Sequence, residues 1–153
     1  MPVQVLDIRG LNSEISGMSF IRADIVNPGG QIPAASIESL SCLHALEHFG
    51  LGRYGDEVNP WGWRVALKNI MALPAPGGYL YLSVPIGRER VVSNAHRIFN
   101  PYTMINELMS LKLISFAAVN DSGDMDEQAH PGDYVHAEYS CGIYEFIKSE
   151  AIG

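Results

Sequence analysis

Pro76-Gly77-Gly78-Tyr79-Leu80-Tyr81-Leu82-Ser83-Val84-Pro85 is the stretch whose reading decides the fold. Two glycines interrupt what comes before. Six residues follow that are apolar or aromatic apart from Ser83, and Pro85 and Gly87 end the run. Such a composition predicts a strand over Tyr79–Val84. A strand apolar on both faces must be covered on both, as in sheets of α/β proteins. Just upstream, Val65, Leu67, Ile70, Met71 and Leu73 fall largely at helical spacing, with Lys68 and Asn69 opposite. They predict a helix that Pro74 and Pro76 stop. Further back, Val3–Ile8, Ser19–Val26 and Ile37–Leu43 are three mostly apolar runs read as strands. The first two end near an acid, and their spacer is too short for a full crossover helix. Downstream, Asn100-Pro101 opens a second helix, with Asn as cap and Pro in the first turn. Met104, Ile105, Leu108 and Met109 point inward from it. Leu113–Val119 and Cys141–Ile147 close the chain as strands, the last expected to be antiparallel. The order predicts one α/β domain built on a mostly parallel sheet.

The chain has 153 residues, 47% of them hydrophobic and 18% charged. That is enough apolar material for a real core. The formal net charge of -7 arises from 17 acidic and 10 basic side chains. Phosphate backbones and anionic membranes repel such a surface, and the densest basic group is only Arg88, Arg90 and Arg97. Nucleic acid is therefore not an expected partner. No apolar run is long enough to span a bilayer, and the start lacks a basic leader. Cys42 and Cys141 lie far apart in apolar surroundings and read as free thiols, which places the chain in the cytoplasm.

Two short motifs carry less than their patterns suggest. Gly50-Leu51-Gly52-Arg53-Tyr54-Gly55 satisfies G-x-G-x-x-G, but a dinucleotide loop sits between a strand and an amphipathic helix. Here Asp56-Glu57-Val58-Asn59-Pro60 follows, so a plain glycine-rich loop is expected. His44-Ala45-Leu46-Glu47-His48 satisfies H-x-x-E-H, which places two histidines four residues apart. A zinc site also needs a third ligand and a long helix, whereas glycine arrives two residues after His48. No metal is expected. Glu47 and His48 read as anchors for the following loop, and Tyr54, Trp61 and Trp63 as pocket walls or helix cover.

The order of landmarks carries more. An acid ends the first strand in Leu6-Asp7-Ile8-Arg9, and Ala23-Asp24-Ile25 closes the second. Leu43-His44-Ala45-Leu46-Glu47-His48 ends the third, and Pro76-Gly77-Gly78 opens the next. This succession resembles class I S-adenosylmethionine-dependent methyltransferases from their second strand onward. More narrowly, Leu46–Asp56 (LEHFGLGRYGD) with Asn94-Ala95-His96-Arg97-Ile98-Phe99 is similar to the methyltransferase-like family called domain of unknown function 268. The resemblance implies a Rossmann-like fold lacking the first strand and helix, with the glycine loop they carry. It implies S-adenosylmethionine as cofactor and methyl transfer to a small molecule or sugar. The alternative is a non-catalytic binding or assembly module.

By the same resemblance, Asp7 would accept the ribose hydroxyls, Asp24 would meet the adenine amino group and Ile25 would pack on its ring. Leu43 and His44 would border the methionine portion. His96 would take a proton from the acceptor, and Arg97 would hold a carboxylate or phosphate of the substrate. Without a cofactor, Asp7 reads as a turn acid, Asp24 as a cap, Leu43 as core and His96 as a backbone-paired loop residue. A missing central strand would leave edges to cover, so a homodimer with Val3–Ile8 near the contact is expected.

Overall fold

The computed structural model describes residues 2–10, 12, 14–92 and 96–150. Asn94 and Ala95 of the family-like string lie outside them. The elements in chain order are β1 (Val3–Asp7), β2 (Met18–Arg22), β3 (Ile37–Leu43), α1 (Gly62–Ala72) and β4 (Pro74–Ile86). They continue with β5 (Arg90–Val92), β6 (His96–Ile98), α2 (Pro101–Glu107), β7 (Lys112–Val119), β8 (Met125–Asp126) and β9 (Ser140–Ile147).

The principal sheet has the order β3-β4-β9-β7-β8. It is mixed, which corrects the expectation of a mostly parallel one. Only β3 and β4 run parallel within it; β9 is antiparallel to both β4 and β7, and β8 to β7. The physical reason is the return path at the C-terminal end. The chain leaves β7, turns through residues 120–139, and inserts its last strand between β4 and β7. Along β4 the register of β9 runs from Tyr79 opposite Ile147 to Ile86 opposite Ser140. Cys141–Ile147 is therefore antiparallel, as read from the sequence.

β1 and β2 form a separate parallel pair, with Val3 opposite Met18 and Asp7 opposite Arg22. Their connection spans residues 8–17 and contains no helix among the described residues. No ladder joins β1 to β3, so the runs Val3–Ile8 and Ile37–Leu43 belong to different sheets. The segment after β2 is tied to α1 by side-chain chemistry. Asn69 on α1 donates through Nδ2 to the carbonyls of Ile25 and Val26 at 2.8 and 3.2 Å, and Ile25 is itself part of the core.

The core lies between one face of the large sheet and the two helices. α1 turns Trp63, Ala66, Leu67 and Ile70 inward at positions i, i+3, i+4 and i+7. They meet Leu80, Leu82, Val84 and Ile86 of β4, together with Tyr144 and Phe146 of β9. Trp63, one of two readings offered for the tryptophans, is core and packs edge-on to Phe99 at 5.0 Å. Tyr144 is fully buried, and its hydroxyl donates to the Pro101 carbonyl at 2.9 Å, so its polar end is satisfied. Asn100 caps α2 by accepting from Tyr102 N at 3.0 Å. No helix is long and apolar enough to cross a membrane among the described residues.

Candidate functional site

A groove of about 230 Å³ opens where the ends of β1, β2 and β3 approach one another. Ligands in open α/β sheets sit beyond such strand ends. Its walls include Asp7 and Arg9 after β1, Asp24 and Ile25 after β2, and His44 and His48 after β3. Tyr54 and Asp56 come from the glycine-rich loop. Four of the five residues assigned to the cofactor, Asp7, Asp24, Ile25 and His44, thus share one cavity, and neither His96 nor Arg97 lines it. Leu43 is not among its walls, and its side chain is 58% exposed rather than core.

Asp7 already has a partner. Arg9 grips its carboxylate with both Nε and a terminal nitrogen, at 2.9 and 2.8 Å, and the Arg9 backbone amide adds a bond of 2.8 Å. The Arg9 side-chain bond is the main reason the Asp7 carboxyl stays below the usual carboxylate range. The Arg9 guanidinium also sits 5.5 Å from the centre of the Tyr54 ring. Sequence reading missed Arg9, although its position two residues after a strand-end acid is the available signal. Asp24 closes a tight turn by accepting from Val26 N at 2.9 Å, while Ile25 is 7% exposed beneath it.

At the end of β3, His44 takes a left-handed backbone with φ 49°, which non-glycine residues seldom adopt. The short 3₁₀ turn Leu46–His48 follows and buries Glu47. Glu47 Oε1 lies 3.2 Å from His44 Nδ1 and 3.7 Å from His48 Nε2. His96, on β6, meets His48 edge-on at 6.4 Å and Tyr139 at 5.2 Å. Partial burial, then the neighbouring His48, lower its proton affinity below the ordinary 6.5, with Glu47 opposing. His96 is therefore a neutral base at pH 7. Arg97, assigned to substrate, is 5% exposed, and its guanidinium donates to the carbonyls of Phe49, Glu47 and Pro60. The structure gives it the role of a loop anchor, because a buried cation needs acceptors and the backbone supplies them.

The glycine-rich loop wraps around a carboxylate of its own. Asp56 accepts from the amides of Gly50, Tyr54 and Gly52 at 2.8, 3.2 and 3.3 Å. Burial pushes the Asp56 carboxyl up, but these amides and its own outweigh it, and the net effect is a lowered pKa. Amides that would otherwise face a phosphate are spent within the loop. Gly50 is required there: φ is 75°, and a β-carbon would run into the Asn59 carbonyl. No cluster of three or more metal-binding side chains occurs among the described residues.

Comparison with known proteins gives a family and a fold. The family described as "Caenorhabditis protein of unknown function, DUF268" matches residues 16–130. No curated protein matches the sequence. Among solved structures, the chain resembles N-methyltransferase NodS from Bradyrhizobium japonicum WM9 in complex with S-adenosyl-L-homocysteine. That likeness has a TM-score of 0.61 at 15% identity, covering 97% of this chain and 67% of that one. A 1,6-didemethyltoxoflavin-N1-methyltransferase from Burkholderia thailandensis, with S-adenosylhomocysteine bound, gives 0.61 at 14% identity, covering 96% and 61%. An S-adenosylmethionine-dependent methyltransferase from Methanosarcina mazei gives 0.60 at 12%, covering 98% and 83%. These likenesses establish a class I methyltransferase-like fold. The chain spans about two thirds of the first two enzymes.

Proposed function

Because this chain belongs to the DUF268 family, within the methyltransferase-like fold, we propose that its groove binds S-adenosylmethionine and serves methyl transfer to a small molecule or sugar. One observation carries the reading: Asp7, Asp24, Ile25 and His44, drawn from three strand ends, line the same cavity. Asp7 is suited to the ribose, since a carboxylate is acceptor-only and can take both hydroxyl protons. Ile25 offers an apolar surface for a base, and Asp24 stands beside it. When bound, the cofactor supplies an electrophilic methyl group on sulfonium. His96 lies outside the groove walls but against the groove residue His48, and on this reading its lowered pKa suits it to take the proton of a hydroxyl acceptor.

Fit has one condition. At about 230 Å³ the cavity is smaller than the ~300–1,000 Å³ of typical small-molecule sites. Arg9 must also release Asp7 before ribose hydroxyls can take its place. Arg9 and Tyr54 therefore swing aside on binding.

Calorimetry with S-adenosylmethionine and S-adenosylhomocysteine on the purified chain tests the proposal, and saturable one-to-one binding is the expected result. Absence of heat up to millimolar ligand would remove it. The Arg9 grip on Asp7 also favours a second reading, a binding module without turnover. Binding with neither methylated acceptor nor S-adenosylhomocysteine formed over a panel of hydroxyl acceptors would select that reading.

A further inference from the structure

Cys141, His44 and Glu47 form a chain of contacts of which the nucleoside reading uses only His44. His44 Nε2 lies 3.1 Å from Cys141 Sγ, and His44 Nδ1 lies 3.2 Å from Glu47 Oε1. His44 and Cys141 are 97 residues apart in sequence. β4 brings them together: its Ser83 carbonyl accepts from His44 N, and its Pro85 stands opposite Cys141 on β9. The carboxylate can only accept, so His44 Nδ1 carries the proton and Nε2 presents its lone pair to the thiol.

Two further features mark the arrangement. His44 holds its ring there from a left-handed backbone, and strain of that kind concentrates at functional positions. The Glu47 side chain is 3% exposed, and Oε2 has no hydrogen-bond partner among the described residues. A buried carboxylate left half-paired is costly unless positive charge arises beside it. Protonation of His44 supplies that charge. The His44 side chain is 47% exposed and lines the groove, and Cys141 beside it is half-buried, outside the groove walls, and so reached from the His44 side.

We propose that Cys141 is a nucleophilic thiol, with His44 as its general base and Glu47 as the group that orients the imidazole. Its substrate class is a small activated alkyl compound, an sp³ carbon bearing a good leaving group. As Cys141 Sγ forms its bond to that carbon, the thiol proton passes to His44 Nε2. The leaving group departs with the electron pair of the broken bond. The products are S-alkylated Cys141, an imidazolium facing Glu47, and the free leaving group. Burial and then the Glu47 charge hold the resting thiol protonated, which is why the base is needed. This inference stands whether or not the groove binds a nucleoside.

Iodoacetamide is the probe, applied to the full chain at neutral pH, with each cysteine followed by peptide mass spectrometry. Cys42 is an internal control: burial, then Glu47, push its thiol up to about 12. The same chain unfolded in urea gives the rate of an ordinary thiol. Native Cys141 is expected to react at least about tenfold faster than that reference while Cys42 stays unlabelled. His44→Ala and His44→Gln should abolish the advantage, and Glu47→Gln should reduce it. Continued protection of Cys42 certifies that each variant is folded. A native Cys141 rate at or below the unfolded reference overturns the proposal without any variant. So does an unchanged rate in a folded His44 variant.

Discussion

Asp7 has two claims on one carboxylate, and that competition can be measured. If ribose hydroxyls take it, Asp7→Ala removes charge-assisted bonds worth ~1.5–3 kcal/mol each. Affinity for S-adenosylmethionine should fall at least about tenfold by calorimetry. Arg9→Ala should do the opposite and tighten binding modestly, because it removes the competing, solvent-screened ion pair from Asp7. Asp56 gives a separate test on stability. Its folded pKa lies below the ordinary 3.8, so its contribution is present above that value and lost as pH falls through the lower folded one. Asp56→Asn should cost about 1 kcal/mol in urea melts at pH 7, with the gap to the parent closing in strong acid. His96 has the same sign: its folded pKa is depressed below the ordinary 6.5, so its contribution is intact above 6.5 and lost as pH falls from there through the lower folded value. At this scale the sequence identified the strand-end acids, because a carboxylate at the end of an apolar run is visible as such. For Arg9 on Asp7 it offered only the two-residue spacing, and for Cys141 beside His44 no signal, because those residues are 97 apart in sequence.

The elements divide by how local their causes are. α1 was legible because its apolar stripe recurs every three or four residues. Leu67, 1% exposed within that stripe, should cost ~2–5 kcal/mol as Leu67→Ala in chemical denaturation. α2 was legible from its cap, and Asn100→Ala should cost about 1 kcal/mol in the same measurement. β4 was only half legible. Pro74–Gly78 reads as a break, yet these residues extend the strand. Gly77 N donates to the Lys148 carbonyl and Lys148 N to Gly78, both at 2.9 Å, so distant partners override local breakers. Gly78 is itself needed, because a β-carbon would stand 2.7 Å from the Ile37 carbonyl oxygen. The hairpin of β5 and β6 went unread: three-residue strands carry too little period to register.

For the whole molecule, the open question the fold raises is assembly. The outer edge of β3 has no strand partner among the described residues, and Leu43 and Val3 are 58% and 45% exposed. We propose a two-fold dimer that covers this region, since unpaired edges and exposed apolar side chains favour pairing. Light scattering of the chain should give twice 16.8 kDa at micromolar concentration; 16.8 kDa at every dilution would exclude the dimer. The amino-acid sequence by itself determined the α/β class, both helices, most strands and the acids near two strand ends, each from composition and period within some ten residues; the other groove residues were implied by the family resemblance. Only the tertiary structure decided that the sheet is mixed, that Arg97 anchors a loop, and that Asp56 fills its glycine loop. It alone also joined His44 to Cys141. Apart from the Asp56 bonds, which stay within six residues, these depend on where β9 inserts and which buried donors find acceptors, and those are contacts between residues that no local pattern links.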